Sequence, residues 1–332
     1  MNVNRISAAE EAAASIRTGM TVAMSGYAMA GYPKAVVDAL VQRKQSGEDL
    51  TFELITGANV PWLDEKLGAE GLISRRAPMV AGRTLAAQAN SGSLHYVEQQ
   101  MSKMPRLLRS NSFGEIDITV VEALGFDENG DLIPTSSVGM THYLMDAADQ
   151  VIVEINAAQP EVLRDLHDIY VPAAPPDTQP IPLVSTNQRI GESGIPVDPR
   201  KIRFIVETDI PERLGPQPAG TAVTRSVADH LFNFLELEVQ KTGYLPPIQT
   251  GFGSIADSIA DAFQHSGFRD LQFFCGGITE PVLELLASGK ATALSTGGLG
   301  MSERVEQVLN LSLIHISEPT RPRLVSRMTS SA

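Results

Sequence analysis

Residues 251–280, GFGSIADSIADAFQHSGFRDLQFFCGGITE, decide the fold. Gly251 and Gly253 open a segment whose apolar residues recur at helical spacing, and this segment leads into a short hydrophobic run, Leu271–Cys275. Glycines allow a backbone to bend tightly and to present bare N–H groups to a ligand at the start of a helix. The pattern therefore predicts a ligand-binding turn, a helix and then a strand, which ends at a second glycine pair, Gly276–Gly277.

The N-terminal half repeats this pattern of strands, small-residue loops and helices. Thr21–Met24 reads as a short strand followed by a glycine-rich loop at residues 25–31, and a helix is predicted at residues 34–42. Phe52–Thr56 is the next predicted strand. Three β-branched runs follow, at residues 116–124, 150–156 and 203–208. Strands separated by helices predict an α/β fold with a mostly parallel sheet.

Ligands of such sheets lie outside the carboxyl ends of the strands. The candidate loops are therefore residues 25–31, 56–59 and 251–254. Two carboxylates, Glu122 and Glu154, lie within the β-branched runs. We expect them to be hydrogen-bonded structural groups at the edge of a pocket, and a pair that performs acid–base chemistry is the alternative.

Two proline-rich stretches divide the chain. Residues 172–182 contain five prolines, which predicts an extended connection over the surface. A second stretch, residues 211–220, precedes a predicted helix at residues 223–239. We place the domain boundary there, with one domain at residues 1–215 and the start of a second at residues 219–310.

The C-terminal segment, residues 311–332, differs in composition from the rest of the chain. It reads LSLIHISEPTRPRLVSRMTSSA, is nearly free of acidic residues, and resembles a translated sequencing adapter. We interpret it as a non-native tail and leave it out of the fold, as for a fusion scar. The second domain is then expected to be incomplete.

Composition narrows the classes of partner and compartment. The formal charge of −13 argues against nucleic acid and anionic membranes, because binding them needs a basic face. The single cysteine, Cys275, cannot form an internal disulfide, which is typical of a protein in a reducing compartment. With one thiol and six scattered histidines, we expect no zinc site built from Cys and His. No signal peptide and no run of 18 apolar residues is found, so we predict a cytoplasmic protein without a membrane span.

Several collinear segments resemble one family, the acetyl-CoA hydrolase/acyl-CoA:carboxylate CoA-transferases. They cover nearly all of residues 6–310 and read SGYAMAGYPKAV (25–36), LIPTSSVGM (132–140), QVIVEINAAQP (150–160), LHDIYVP (166–172), PIPL (180–183), RIGESGIPVDPRKI (189–202), VADHL (227–231) and GFGSIADSI (251–259). The resemblance implies two open-sheet domains of the CoA-transferase type, with a possible homodimer. It also implies a CoA thioester as substrate, no bound cofactor, and transfer of CoA between a short acyl-CoA (acetyl, propionyl or succinyl) and a small carboxylate, or acyl-CoA hydrolysis.

The resemblance also implies which residues form the site. The turn at Gly251, Gly253 and Ser254 would offer the Phe252 N–H to the oxyanion of a tetrahedral intermediate. The loops after the first two strands would line the CoA or acyl pocket, and the residues concerned are Ser25, Gly26, Ala30, Gly31, Thr56 and Gly57. His167 and Tyr170 match a family motif, and we expect this motif to fix the loop that precedes the proline stretch.

One position departs from the family pattern. The family places a nucleophilic glutamate at the end of the strand after the Gly-x-Gly helix, and counting from Gly251 puts Gly276 there. Glycine has no side chain, so covalent catalysis through this position is excluded. Glu280 in Ile278-Thr279-Glu280 mimics the motif and is the alternative nucleophile. Cys275, next to Gly276, is another.

A third alternative is direct attack of an acid on a bound thioester. It is suggested by GGIT (276–279), which resembles the corresponding segment of the citrate lyase α-subunit, and it needs only positioning and oxyanion donors from the protein. A fourth, from another functional class, is a CoA-binding non-enzyme or partner subunit that has lost its nucleophile.

Overall fold

The computed structural model describes residues 6–212 and 220–314 of the chain. Its larger sheet has eight strands in this described part, and they are β1 (Thr21–Met24), β2 (Phe52–Thr56), β3 (Ile73–Ala77), β4 (His95–Tyr96), β5 (Ile116–Phe126), β6 (Leu132–Pro134), β7 (Ala148–Asn156) and β8 (Ile202–Thr208). Their order is β4-β3-β2-β1-β5-β7-β8, and β6 pairs with β5. All neighbours are parallel except β6. The carboxyl ends of the parallel strands therefore share one edge.

Helices cover both faces of this sheet. The α-helices of the described part are α1 (Ala9–Ala14), α2 (Ala35–Gln45), α3 (Pro61–Ala69), α4 (Arg83–Ser91), α5 (Met104–Arg109), α6 (Thr141–Ala147), α7 (Ala222–Thr242), α8 (Ser254–His265), α9 (Glu280–Ala287) and α10 (Glu303–Ile314). None of these helices combines the length and the apolar character that crossing a bilayer requires.

Alternation along the strands divides the core. In β1, Val22 and Met24 join the cluster beneath α2 and α3, whereas Ala23 joins a smaller cluster with residues of α6. In β7, Ile152 belongs to the first cluster, while its two neighbours, Val151 and Val153, face the other side. Successive strand residues point to opposite faces, so these runs are apolar throughout because the sheet is covered on both sides.

A second, smaller parallel sheet follows α7. It contains β9 (Leu271–Cys275) and β10 (Ala291–Thr296), and Ile248 adds a parallel bridge to Phe273. Its buried residues form one continuous cluster with Val121 and Val153 of the larger sheet. A backbone bridge between Ser137 and Gly298 also joins the two parts.

The predicted strands largely match the structure, and the α/β class with a mostly parallel open sheet is confirmed. β3 was not predicted from the sequence, since its Ile-Ser-Arg-Arg-Ala run lacks an apolar pattern. Arg76 is nevertheless fully buried in it, because its Nε donates to Asp64 Oδ1 at 2.8 Å. A buried ion pair thus replaces the apolar side chain that a strand pattern would show.

The predicted segment boundaries fall partly outside the described residues. Residues 172–182 contain no helix or strand, as predicted. The boundary between the two domains at residues 215–219 lies in the undescribed segment 213–219, so the division stays a prediction. Of the adapter-like tail, residues 311–314 continue α10, and residues 315–332 lie outside the described part.

Candidate functional site

Three glycine turns meet at the carboxyl ends of the smaller sheet. They are residues 251–254 after the Ile248 bridge, Gly276–Gly277 after β9, and Gly297–Gly298 after β10. Cys275 pairs with Thr296 in register, and the Gly297 N–H donates to the Cys275 carbonyl at 3.3 Å. The turns are therefore direct neighbours at the edge where parallel sheets bind ligands.

Phe252 connects two of these turns. A Cβ built on Gly277 would overlap the Phe252 ring, so only glycine fits beneath it. Around a Cβ built on Gly251 or Gly253, by contrast, no described atom lies within 4 Å. Within the described residues the Phe252 N–H has no hydrogen-bond acceptor, as is usual for groups at the start of a helix such as α8. This N–H thus keeps its donor capacity, and its role as an oxyanion donor stays a prediction.

The loop after β1 is held by internal hydrogen bonds. The Ser25 hydroxyl donates to the Gly31 carbonyl at 2.8 Å and accepts the Glu122 N–H at 3.0 Å. Gly31 has a φ of +66°, and a Cβ there would overlap the Ser137 hydroxyl. Ser25 and Ala30 are almost fully buried. The loop conformation therefore depends on close packing against Ser137, whose hydroxyl also donates to the Ala30 carbonyl at 3.0 Å.

The loop after β2 packs beside it. Met24 pairs with Thr56, so both loops begin at the same edge. A Cβ on Gly57 would lie 2.6 Å from Met140 Cβ, and one on Gly26 would lie 3.2 Å from Val60 Cγ2. The structure thus brings the predicted pocket residues of the two loops together in a tightly packed layer.

Tyr27, which the sequence reasoning did not single out, joins this layer to the glycine turns. Its Cδ1 lies 3.3 Å from a Cβ built on Gly298, and its hydroxyl oxygen lies 2.9 Å from a Cβ built on Gly276. A phenol between small residues in the motif Ser-Gly-Tyr-Ala was the one available signal. The candidate site is therefore built from both sheets.

The alternative nucleophiles lie in different surroundings. Cys275 is buried, and its Sγ lies 3.4 Å from the Thr250 N and 3.3 Å from the Thr250 hydroxyl. Glu280 is exposed as the first residue of α9, and its Oε2 accepts the Ser302 hydroxyl at 3.1 Å. Ser302 also accepts the Val305 N–H at 3.2 Å in the first turn of α10. Glu280, four residues after Gly276 in the sequence, thus has its carboxylate hydrogen-bonded to the start of α10.

A buried charge cluster lies behind the loop at residues 25–31. The Lys34 ammonium donates to Glu122 Oε2 at 2.7 Å and to the Tyr32 carbonyl at 3.0 Å, and Glu212 Oε1 lies 3.5 Å away. Burial raises the pKa of Glu122 to about 8, with the charges of Glu212 and Glu154 adding and that of Lys34 opposing. Burial alone lowers the pKa of Lys34, but the surrounding carboxylates outweigh it and the net change is upward. The lysine therefore stays charged, whereas the Glu122 carboxyl keeps its proton up to about pH 8.

Further polar groups tie this cluster to the backbone. Glu154 accepts the N–H groups of Lys34, Ala35 and Val36 at 2.6, 3.0 and 3.0 Å, and so caps the start of α2. The Asn156 amide donates to Glu122 Oε1 at 2.7 Å and to the Ile210 carbonyl at 2.8 Å. These contacts agree with the structural role that we expected for both carboxylates.

The motif at residues 167–170 is also engaged in structural contacts. His167 Nε2 lies 2.7 Å from the Pro134 carbonyl, and burial lowers the pKa of this imidazole to about 4. Asp168 accepts the Ile190 N–H at 2.9 Å.

No three His, Cys, Asp or Glu side chains in residues 6–212 and 220–314 are grouped so as to hold a metal ion.

Comparison with known proteins relates this geometry to a chemistry. The family model of the acetyl-CoA hydrolase/transferase N-terminal domain matches residues 3–208. The succinyl-CoA:acetate CoA-transferase of Clostridium kluyveri is 32% identical over 330 residues, covering 97% of this chain and 61% of the relative. The acetyl-CoA hydrolase of Kluyveromyces lactis is 32% identical over 310 residues, covering 88% of this chain and 59% of the relative.

A solved structure supports the fold alone. The crystal structure of 4-hydroxybutyrate CoA-transferase from Porphyromonas gingivalis superposes with a TM-score of 0.59 at 16% identity, covering 98% of this chain and 68% of that one. Compared with the two curated relatives, from Clostridium kluyveri and Kluyveromyces lactis, this chain spans about three fifths of their length.

Proposed function

The chain belongs to the acetyl-CoA hydrolase/transferase family, and we therefore propose that it carries the site for CoA transfer between a short acyl-CoA and a small carboxylate. Acetyl-, propionyl- or succinyl-CoA would be the donor, and acetate, propionate or succinate the acceptor. The observation that carries this proposal is the convergence, at the strand ends, of three glycine turns and a Phe252 N–H that has no acceptor among the described residues. Acyl-CoA hydrolysis is the same chemistry with water as the acceptor.

We propose direct attack rather than an enzyme-bound glutamyl thioester. The acceptor carboxylate oxygen attacks the thioester carbonyl carbon, the C–S bond breaks, and CoA leaves as the thiolate with a mixed anhydride in place. The thiolate then attacks the acceptor's carbonyl carbon of that anhydride, and the original acyl group leaves as its carboxylate. The absence of a side chain at Gly276 supports this route, because no protein carboxylate replaces the substrate acid at that point.

In this route the protein positions the substrates and stabilises negative charge. The Phe252 N–H would donate to the carbonyl oxygen as it becomes an oxyanion, and a backbone donor of this kind typically contributes about a hundredfold or more in rate. Ser25, Gly26, Ala30, Gly31, Thr56 and Gly57 would form the wall of the acyl-CoA pocket through the two packed loops. Gly251, Gly253 and Ser254 would leave the start of α8 open to the thioester.

The test is an assay of acetyl-CoA with succinate, in which succinyl-CoA is separated by chromatography and free thiol is measured in parallel. We expect succinyl-CoA from the parent chain. Glu280→Gln and Cys275→Ser should keep activity within about threefold, since neither side chain would form a covalent intermediate.

Each other result favours one alternative. Loss of activity in Glu280→Gln, with a hydroxylamine-sensitive CoA adduct on Glu280 in the parent, would identify Glu280 as the nucleophile. Binding of acyl-CoA without turnover in the parent, together with turnover in Gly276→Glu, would identify a CoA-binding protein that has lost its nucleophile.

A further inference from the structure

Tyr27 is held in one position by its own loop. Its N–H donates to the Ala30 carbonyl at 2.9 Å and its carbonyl accepts the Ala30 N–H at 3.0 Å, which closes a tight turn. Ala28, within this turn, has a φ of +54°. These two hydrogen bonds therefore fix the backbone position from which the Tyr27 side chain extends.

The Tyr27 ring crosses to the smaller sheet and passes over two glycines, Gly297 and Gly298. Its Cδ1 and Cε1 face Gly298 and Gly297, at 3.3 and 3.7 Å from Cβ atoms built there. The hydroxyl extends beyond them to Gly276, 2.9 Å from a built Cβ. The oxygen thus lies next to the place that the first side-chain atom of a residue at position 276 would take.

This hydroxyl has no partner in the described protein. No described residue donates to it or accepts from it, and Tyr27 makes no ion pair there either. Burial raises the pKa of the phenol, so the group stays neutral and protonated and acts as a donor. A half-buried donor without a protein acceptor is free to donate to water or to a bound ligand.

Resting on the proposed function, we propose that the Tyr27 hydroxyl binds the acceptor carboxylate of the transfer reaction. The acid would lie against Gly276 with one oxygen accepting the Tyr27 O–H, in the place that a glutamate side chain at position 276 would take. Its other oxygen would then face the thioester carbon held at the Phe252 N–H. Tyr27 and Gly276 together would make the acceptor site.

The variant Tyr27→Phe keeps the ring over the glycines and removes only the donor. We expect the KM for succinate or acetate to rise about tenfold to a hundredfold, as for loss of one hydrogen bond to a charged group. The KM for acyl-CoA and the Tm should stay unchanged. Tyr244→Phe, on a side chain that is 62% exposed, is the matched control.

A second variant tests the space at position 276. Gly276→Ala places its methyl group against the hydroxyl, so we expect the same rise in the KM for the acceptor. In Tyr27→Phe/Gly276→Ala the two effects should not add, because each removes the same contact. An unchanged acceptor KM in Tyr27→Phe, or fully additive effects, would overturn the proposal.

Direct binding separates this inference from the proposed function. Calorimetric titration of parent and Tyr27→Phe chains with sodium succinate needs no turnover. Binding that is weakened in Tyr27→Phe, in a chain that does not transfer CoA, would sustain the acceptor site and refute the proposed activity. No binding to the parent chain, or equal binding to both, would refute the acceptor site whether or not transfer occurs.

Discussion

The Lys34 ammonium and the Glu122 carboxylate lie 2.7 Å apart, and neither side chain is exposed to solvent. The Lys34 ammonium also donates to the Tyr32 carbonyl in the loop after β1. The Asn156 amide donates both to Glu122 and to the Ile210 carbonyl. The pair therefore connects the Tyr27 loop to the end of β5 and to the segment that leads toward the smaller sheet. Removing one charge of such a pair leaves its partner buried and unpaired.

We expect Lys34→Met to lower the free energy of unfolding by about 3–5 kcal/mol at about pH 9, where Glu122 is ionised, because the neighbouring carboxylates lose their counter-charge. Urea unfolding followed by circular dichroism measures this change. Lys66→Met, which removes a partly exposed ion pair with Asp38, is the control and should cost at most about 1 kcal/mol. Lys34→Met/Glu122→Gln should recover part of the loss; no recovery would show that the charges do not act as a pair.

The free energy of unfolding should decrease as pH rises because of Glu122. Its pKa is about 8 in the folded protein against an ordinary value of 4.5, so the folded form keeps a proton that the unfolded chain releases between these values. The free energy of unfolding then decreases as pH rises from about 5 to about 8, by on the order of 3 kcal/mol from this group.

Urea unfolding of the parent and Glu122→Gln chains across this pH range isolates that contribution. Relative to Glu122→Gln, the parent chain should lose free energy of unfolding steadily from pH 5 to pH 8, and the difference should level off above pH 8. Glu53→Gln, on a partly exposed carboxylate paired with Arg75, should run parallel to the parent. A Glu122→Gln curve that is also parallel to the parent would contradict the raised pKa.

Gly31 combines a left-handed backbone with close packing, and Gly31→Ala should therefore cost more than either effect alone. Gly19, with a φ of +86° and no described atom within 4 Å of a built Cβ, isolates the backbone effect. We expect Gly19→Ala to cost about 1 kcal/mol. Gly31→Ala should cost at least about twice that, since its methyl group overlaps Ser137. Equal losses of stability for Gly31→Ala and Gly19→Ala in thermal unfolding would mean that the loop rearranges around the added methyl group without a further loss of stability.

Gly277→Ala should impair the proposed reaction more than it impairs folding. Its methyl group overlaps the Phe252 ring, so the turn that presents the Phe252 N–H has to move. Misplacing an oxyanion donor typically costs about a hundredfold in rate. Gly267→Ala, at an exposed glycine with free space around it, is the control for both turnover and Tm. Turnover equal to that of the control would argue against Phe252 as the donor.

The sequence was sufficient for the fold class and the family but not for the core of the site. Apolar runs such as Phe52–Thr56 predicted strands correctly because both faces of the sheet are buried. The collinear motifs predicted the acetyl-CoA hydrolase/CoA-transferase family, and the comparisons confirm it. The positions proposed for catalysis and binding stay predictions.

The contact between Tyr27 and Gly276 could not be predicted, because it joins two distant parts of the chain across two sheets. No periodicity or spacing reports which loop of one sheet faces which turn of the other. The same holds for Lys34, whose charge is balanced by residues of three separate segments. Local patterns report which residues form an element, whereas long-range complementarity of shape and charge becomes visible only once the elements are packed.

The packing of Tyr27 against Gly276 also constrains how such a site evolves. Some glycine codons become glutamate codons through a single base change, so a nucleophile at position 276 is genetically close. That change would place its Cβ 2.9 Å from the Tyr27 hydroxyl oxygen, so the phenol would have to shift, whereas Tyr27→Phe removes this contact. We therefore expect the two positions to be epistatic, with a glutamate at position 276 accommodated more easily once position 27 is phenylalanine.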